Sequence, residues 1–237
     1  MCGWTAGVTQ AAVLYLQLRR PSEHERLGIA QRWVQAWARG LLAVFGIQQH
    51  WVGPAVPPPR KARLIVANHR SPVDIILMLQ RFRGSVLARH DLEHWPVLGR
   101  AAREGATMFV DRNDPRSGVK AIREIRRRLA AGQTVIVFPE GTTHRGDEVH
   151  AFQGGAFAAL RGLDVEVLPV GIAYEPGSEF VDETFVQHVS RMAQRPRTHV
   201  ALCAGEVRDA QGDREALAAA LQRDVQALVN RARAALP

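Results

Sequence analysis

Downstream of residue 60, short runs of consecutive apolar residues alternate with stretches in which apolar side chains recur every three or four positions. The short runs predict buried strands at Ala62–Ala67, Ser85–Arg89, Ala106–Val110, Thr134–Phe138, Val165–Ala173 and His199–Ala204. The periodic stretches predict helices at Pro72–Arg81, Pro115–Ala131, Phe152–Arg161, Val181–Ala193 and Arg214–Leu236. Local chemistry supports several of these ends. Ser71-Pro72 and Asp114-Pro115 each set a capping side chain before a proline suited to the first helical position, and Gly132 suits a helix exit. Leu217, Leu221, Leu228 and Ala232 fall on one stripe of the last helix. Strands alternating with helices predict an α/β fold, a mostly parallel sheet flanked by helices.

The region before residue 60 reads differently. Leu27, Ala30, Val34, Trp37, Leu41 and Val44 have helical spacing across 25–47, with Arg26, Gln31, Arg32, Gln35 and Arg39 largely elsewhere around the axis. Two readings stand: a helix packed on the domain, or an interfacial helix anchored by Trp33, Trp37 and its arginines. The Pro-rich "GPAVPPPRK" at 53–61 ends this region. The expected division is therefore an N-terminal amphipathic, membrane-contacting helical segment at 1–52 and an α/β domain at 53–237. Residues 1–18 are uncharged, and Arg19 and Arg20 follow them, the reverse of a secretory signal. They are interrupted by Thr5, Thr9, Gln10 and Gln17 and fall short of the roughly 20 apolar residues of a spanning helix. Shallow or partial insertion at the cytoplasmic face of the membrane is the expectation.

Charge narrows the partners. Lys and Arg outnumber Asp and Glu by 31 to 23, a net +8 that favours anionic partners. A non-catalytic basic protein binding anionic lipid or nucleic acid is the alternative to an enzyme. Aromatic residues make up only 6% of the chain and no nucleic-acid module is recognisable, so nucleic acid is not expected. Cys2 and Cys203 supply neither a disulfide framework nor zinc spacing and read as thiols of a reducing compartment. The histidines at 90, 94, 144, 150, 188 and 199 form no helical pair with a clean third ligand; "HDLEH" comes nearest, and no metal is expected. "REIRRRL" at 123–129 reads as a solvated amphipathic face or an anionic-lipid contact.

The densest chemistry lies in "ANHRSPVD", residues 67–74. A strand delivers Asn68 and His69 to its C-terminal edge, where reacting groups gather in open α/β sheets, and Ser71-Pro72 then starts a helix. Within one continuous helix, five steps would set His69 and Asp74 about 140° apart. His69 precedes the helix, however, so its ring can fold back over the first turn. Asp74 can then hold one ring nitrogen and leave the other as a base.

"NHRSPVD" resembles the NHxxxxD signature of the glycerolipid acyltransferases, the 1-acylglycerol-3-phosphate acyltransferase family. "GATMFVDR" (105–112), "VFPEGTT" (137–143) and "VLPVGIAY" (167–174) resemble the family's three further blocks, in its order and with similar separations, over about residues 60 to 175. The resemblance implies direct transfer of an acyl group from a thioester, acyl-CoA or acyl-carrier-protein, to a lyso-lipid hydroxyl, without an acyl-enzyme or a bound cofactor. His69 would take the hydroxyl proton while Asp74 steadies the imidazolium. The "PEGTT" turn would offer the N–H groups of Gly141 and Thr142 to the oxyanion.

Glu140 is implied in acceptor binding or site scaffolding, and Pro169 in lining the acyl site. Pro169 also suggests an edge strand or a bend. Arg112 can reach an anion of the acceptor. Phosphatidic-acid-forming members commonly continue the third block as FPEGTR, whereas here Thr143 stands in place of the Arg. Either Arg145 or Arg112 meets the phosphate instead, or the acceptor is another lyso-lipid, such as a lyso-ornithine lipid.

Overall fold

A computed structural model describes residues 23–89, 107–110, 115–210 and 212–237. In chain order its elements are α1 (Glu23–Val44), β1 (Ile47–Val52), β2 (Ala62–Ala67), α2 (Pro72–Arg81), β3 (Ser85–Arg89), β4 (Met108–Val110), α3 (Pro115–Ala130), β5 (Thr134–Val137), α4 (Gly155–Ala158), β6 (Val165–Tyr174), α5 (Phe185–Gln194), β7 (Thr198–Ala204), β8 (Arg208–Asp209) and α6 (Arg214–Arg233). One sheet runs in the order β1-β7-β6-β2-β5-β3-β4, with β8 added against β6. Among the described residues, the β6–β7 and β6–β8 pairings are antiparallel and the others parallel. The expected α/β fold with a mostly parallel sheet is the one observed.

Side-chain parity divides the core. In β6, Leu168, Val170, Ile172 and Tyr174 face a cluster that includes Leu77 and Met78 of α2 and Met192 of α5. Val165 and Val167 face the opposite cluster, with Ile125 of α3, Phe157 of α4 and Leu221 of α6. Both faces of β2 and β6 are covered, so neither strand alternates in polarity and both read as continuous apolar runs. At Gly171 the backbone of α6 comes so close that a Cβ would lie 2.3 Å from the Val229 nitrogen. Glycine is required there for helix and sheet to meet.

Four elements depart from expectation. Ile47–Val52 is a strand paired in parallel with β7, so the sheet begins before the Pro-rich break. The helix expected at Phe152–Arg161 is reduced to Gly155–Ala158, because Gly154 and Gly155 give its start no capping side chain. The helix expected from Val181 starts at Phe185, where Thr184 and Gln187 form a capping box. Arg208–Asp209 forms a short strand that sequence periodicity does not register.

Helix α1 packs on the domain through buried Ile29, Trp37, Ala38 and Leu42. Trp37 is thus a packing residue rather than an interfacial anchor. No helix among the described residues is long and apolar enough to cross a membrane. Residues 1–18, Arg112 and Asp114 lie outside the described residues.

Candidate active site

Ser71 and Asp74 build the first turn of α2 as a capping box. The Ser71 hydroxyl accepts the Val73 N–H, and the Asp74 carboxylate accepts the Ser71 N–H. The local signal that starts the helix is therefore also what aims Asp74. Its Oδ2 takes the Arg70 N–H at 2.6 Å, the Ser71 N–H at 2.8 Å and His69 Nδ1 at 2.8 Å. Asp74 is fully buried and His69 retains slight exposure. Bonding to the carboxylate puts the proton on Nδ1 and leaves Nε2 with its lone pair. The ring lies flat against Phe138, centroids 4.4 Å apart, and this fixes its plane.

Glu140 holds the main chain beneath that ring. Its carboxylate accepts the N–H of His69 at 2.8 Å, the N–H of His150 at 3.1 Å and Nη1 of Arg70 at 3.1 and 3.2 Å. Its side chain has no exposure. With both oxygens filled by protein donors, Glu140 scaffolds the turn. Arg70 carries the bracing outward, donating to the carbonyls of His69, Gly146 and Glu148. Asn68 clamps β2 to β6 by pairing its amide with both main-chain groups of Ile172 at 2.8 Å.

Several expected ligand contacts take other partners. The Gly141 N–H donates to the Phe138 carbonyl at 3.1 Å and closes a turn, so it is not an open oxyanion donor. Thr142 is exposed, and its N–H has no protein acceptor among the described residues. The Thr143 hydroxyl donates to the Phe180 carbonyl at 2.6 Å and ties two loops together. Arg145 is exposed and pairs with Asp182 at 3.2 Å. The His144 N–H donates to the His69 carbonyl, and its ring stacks on His150 with centroids 3.8 Å apart. Burial, reinforced by His150, pushes the His144 imidazole below its ordinary value.

Pro169 lies inside the sheet, not at its edge. On one side it pairs with Val66 of β2; on the other it falls between the β8 partners (Glu166, Val167) and the β7 partners, which start at Val170. The missing N–H thus falls at a break between two ladders. By parity its ring shares the face of Gly171, against α6, opposite Tyr174. It therefore packs away from the side of the sheet that carries Tyr174 and Asp74.

Comparison with known proteins adds to this geometry. The profile of a family described as Acyltransferase matches residues 52–173. A lyso-ornithine lipid O-acyltransferase from Pseudomonas aeruginosa is 30% identical over 231 residues, covering 92% of this chain and 86% of the relative. The chain belongs to the acyltransferase family. A 1-acyl-sn-glycerol-3-phosphate acyltransferase from Neisseria meningitidis serogroup B is 32% identical over 57% of this chain, a match spanning 53% of the relative. The crystal structure of the 1-acyl-sn-glycerophosphate (LPA) acyltransferase PlsC from Thermotoga maritima shares the fold, with a TM-score of 0.74 at 24% identity over 95% of this chain and 88% of that one.

Two groups of this acyltransferase's site escape a sequence reading. The Tyr174 hydroxyl donates to Asp74 Oδ1 at 2.6 Å, and burial, followed by the Asp74 charge, raises its pKa well above the ordinary value. Tyr174 ends the fourth block, one hundred residues from its partner. Only strand parity joined to the β2–β6 pairing could have indicated it. His188 of α5 meets Ser71 from another element, and no local spacing announces that contact.

Proposed function

We propose that this acyltransferase moves an acyl chain from a thioester, acyl-CoA or acyl-carrier-protein, to the hydroxyl of a lyso-lipid. The acceptor is 1-acylglycerol-3-phosphate or a lyso-ornithine-type lipid. The observation that carries the chemistry is His69 held through Nδ1 by Asp74 at 2.8 Å, with Nε2 left as a base.

Nε2 takes the proton of the acceptor hydroxyl as its oxygen bonds to the thioester carbonyl carbon. The buried Asp74 steadies the imidazolium, and its other donors, Arg70 N–H, Ser71 N–H and Tyr174 O–H, keep it from turning away. When the tetrahedral intermediate collapses, the carbon–sulfur bond breaks. The imidazolium returns its proton to the leaving thiolate, so ester and thiol are the products. The exposed Thr142 N–H remains the oxyanion donor of the "PEGTT" turn.

Arg145, whose exposed pairing with Asp182 contributes little stability, is the basic group offered to an anionic head group, together with Arg112. The net +8 supports docking at the cytoplasmic face of a membrane containing anionic lipids. The Pseudomonas relative's name supports the lyso-ornithine acceptor. The Neisseria relative's supports the phosphate-bearing one.

The test offers both donors and both acceptors to wild type and to H69A and follows the product by mass spectrometry. Wild type transfers, and folded H69A loses about 100- to 10,000-fold in turnover. Comparable turnover by folded H69A would overturn the base assignment. Transfer by wild type to neither acceptor would overturn the acceptor assignment.

A further inference from the structure

Behind the catalytic turn lies a second histidine–carboxylate array that the proposed reaction does not use. Ser71 Oγ is 2.9 Å from His188 Nε2, and His188 Nδ1 is 2.8 Å from Glu183 Oε1. Arg191 donates to both oxygens of Glu183, and to the carbonyls of Gly177 and Glu179. Phe180 lies edge-on to His188 with centroids 5.1 Å apart, and its N–H donates to the Arg70 carbonyl at 2.8 Å. Ser71 has no exposure and His188 has 1%.

The connectivity is that of a serine nucleophile with its base, but its surroundings are wrong for attack. The hydroxyl is closed off from solvent and already accepts the Val73 N–H. Arg191 Nη2 also lies 3.1 Å from His188 Nδ1, but its two hydrogens have Glu183 Oε1 and the Glu179 carbonyl as acceptors. The closer Glu183 carboxylate therefore fixes the His188 proton on Nδ1 and leaves Nε2 as an acceptor. Ser71 Oγ–H then donates to Nε2 while one of its lone pairs caps α2, so the hydroxyl's single proton is committed. The N–H of the same residue donates to Asp74 Oδ2, the oxygen that holds His69.

We propose that His188 is a positioning residue for the His69–Asp74 pair, acting through Ser71, with Glu183 and Arg191 fixing its ring. Asp74 is oriented from two sides: by Tyr174 from β6, and by Ser71, which His188 pins from α5. Without the Nε2 acceptor, the buried Ser71 proton has no partner. The hydroxyl that caps Val73 is then no longer held, and the first turn of α2, which presents the Ser71 N–H to Asp74, loses its tether to α5. This inference rests on the His69 base reading.

The test measures kcat and KM for wild type, S71A, H188F, H188Q and S71A/H188F, with H69A in parallel. H188F keeps a ring without an acceptor, while H188Q brings an amide oxygen near the Nε2 position. H188F and S71A should each lower kcat by about 10- to 100-fold with KM within about twofold, since small misplacements of a base cost that much. H188Q should recover most of the loss. The double variant should be no worse than either single one, because both remove the same link. Should H188F not fold, S71A and H188Q carry the same comparison. Wild-type kcat in S71A or H188F, additive losses, a failed rescue by a folded H188Q, or an acyl group trapped on Ser71 would each overturn the proposal. Turnover retained in H69A would instead overturn the reading on which it rests.

Discussion

Strand β2 has a buried Arg–Glu pair near each end, and the two are wired differently. At the entrance, Arg63 meets Glu166 at 2.6 Å, and the two are direct register partners of the parallel β2–β6 pairing. Arg63 also donates to the carbonyls of Pro57 and Pro58, so that pair seals the chain's approach to the sheet. At the exit, Arg70 meets Glu140 at 3.1 Å across loops, and Glu140 also holds the His69 N–H. Burial and charge are alike; attachment is not. The first pair fastens strand to strand, whereas the second fastens the main chain under the His69 imidazole, the proposed base. An ion pair's place in the hydrogen-bond network, rather than its burial, sets what its loss disturbs: a strand pairing at one end, the proposed base at the other.

Breaking the exit pair should have the largest effect. E140A leaves the Arg70 guanidinium buried without its counter-charge and frees the N–H groups of His69 and His150. A loss of about 3–5 kcal/mol is expected in denaturant unfolding. Turnover per folded molecule should fall at least about 100-fold, because the imidazole loses its main-chain support.

At the entrance the same chemistry should separate stability from activity. E166A should cost about as much in unfolding, roughly 3–5 kcal/mol, yet leave kcat and KM of the folded protein within about twofold. Replacing both partners, R63M/E166L, should restore most of that stability, since paired apolar replacement of a buried ion pair is often neutral. The matching double change at the exit, R70M/E140L, should regain stability without regaining activity. Equal activity losses at the two ends would remove the distinction.

Tyr174 offers a smaller cut at the exit alone. Y174F removes one of the four donors to Asp74 and leaves Oδ1 without that partner. Because the ring stays packed, about 1–3 kcal/mol of stability should be lost. A fall of about tenfold in kcat, without a comparable change in KM, would separate orientation of Asp74 from substrate binding.

The two ends also differ in how far they can be read from sequence. His69, Ser71, Pro72 and Asp74 lie within one helical turn of chain, and capping chemistry places them without reference to the rest of the fold. Arg63 and Glu166 need the strand register, and Glu140, Tyr174 and His188 need whole elements brought together. Those contacts are invisible to spacing. The Gly141 N–H of the "PEGTT" turn is illegible in sequence for a related reason, since only the folded chain shows it closing on the Phe138 carbonyl.

Sequence periodicity does not reveal β1, because Gln48 and Gln49 are exposed on an edge strand and so present no apolar run. What stops α1 is Gly46, at φ +64°, where a Cβ would lie 2.6 Å from the Pro196 carbonyl oxygen. The α/β class was legible because β2 and β6 are buried on both faces and leave long apolar runs in the sequence.

The smallest effect appears as a pH dependence. Among the described histidines, the two held clearly below the ordinary value of 6.5 are His144 and His188, and both lie at the exit. Burial is the main cause at His188; Glu183 and Asp74 pull the other way, and Arg191 adds to the depression. A histidine whose folded pKa is depressed binds fewer protons folded than unfolded. Folding stability must therefore fall as pH drops below about 6.5 toward the folded value. Unfolding midpoints at pH 7, 6 and 5 should decline in wild type and decline less in H188Q, with His144 left to supply the remainder. The Glu183 carboxylate is held below its ordinary 4.5, chiefly by its bonds from Arg191, so its contribution persists down through that range and is lost only in more acid solution. An unchanged slope in H188Q between pH 7 and 5 would show that His188 is not the neutral acceptor that holding the Ser71 proton requires.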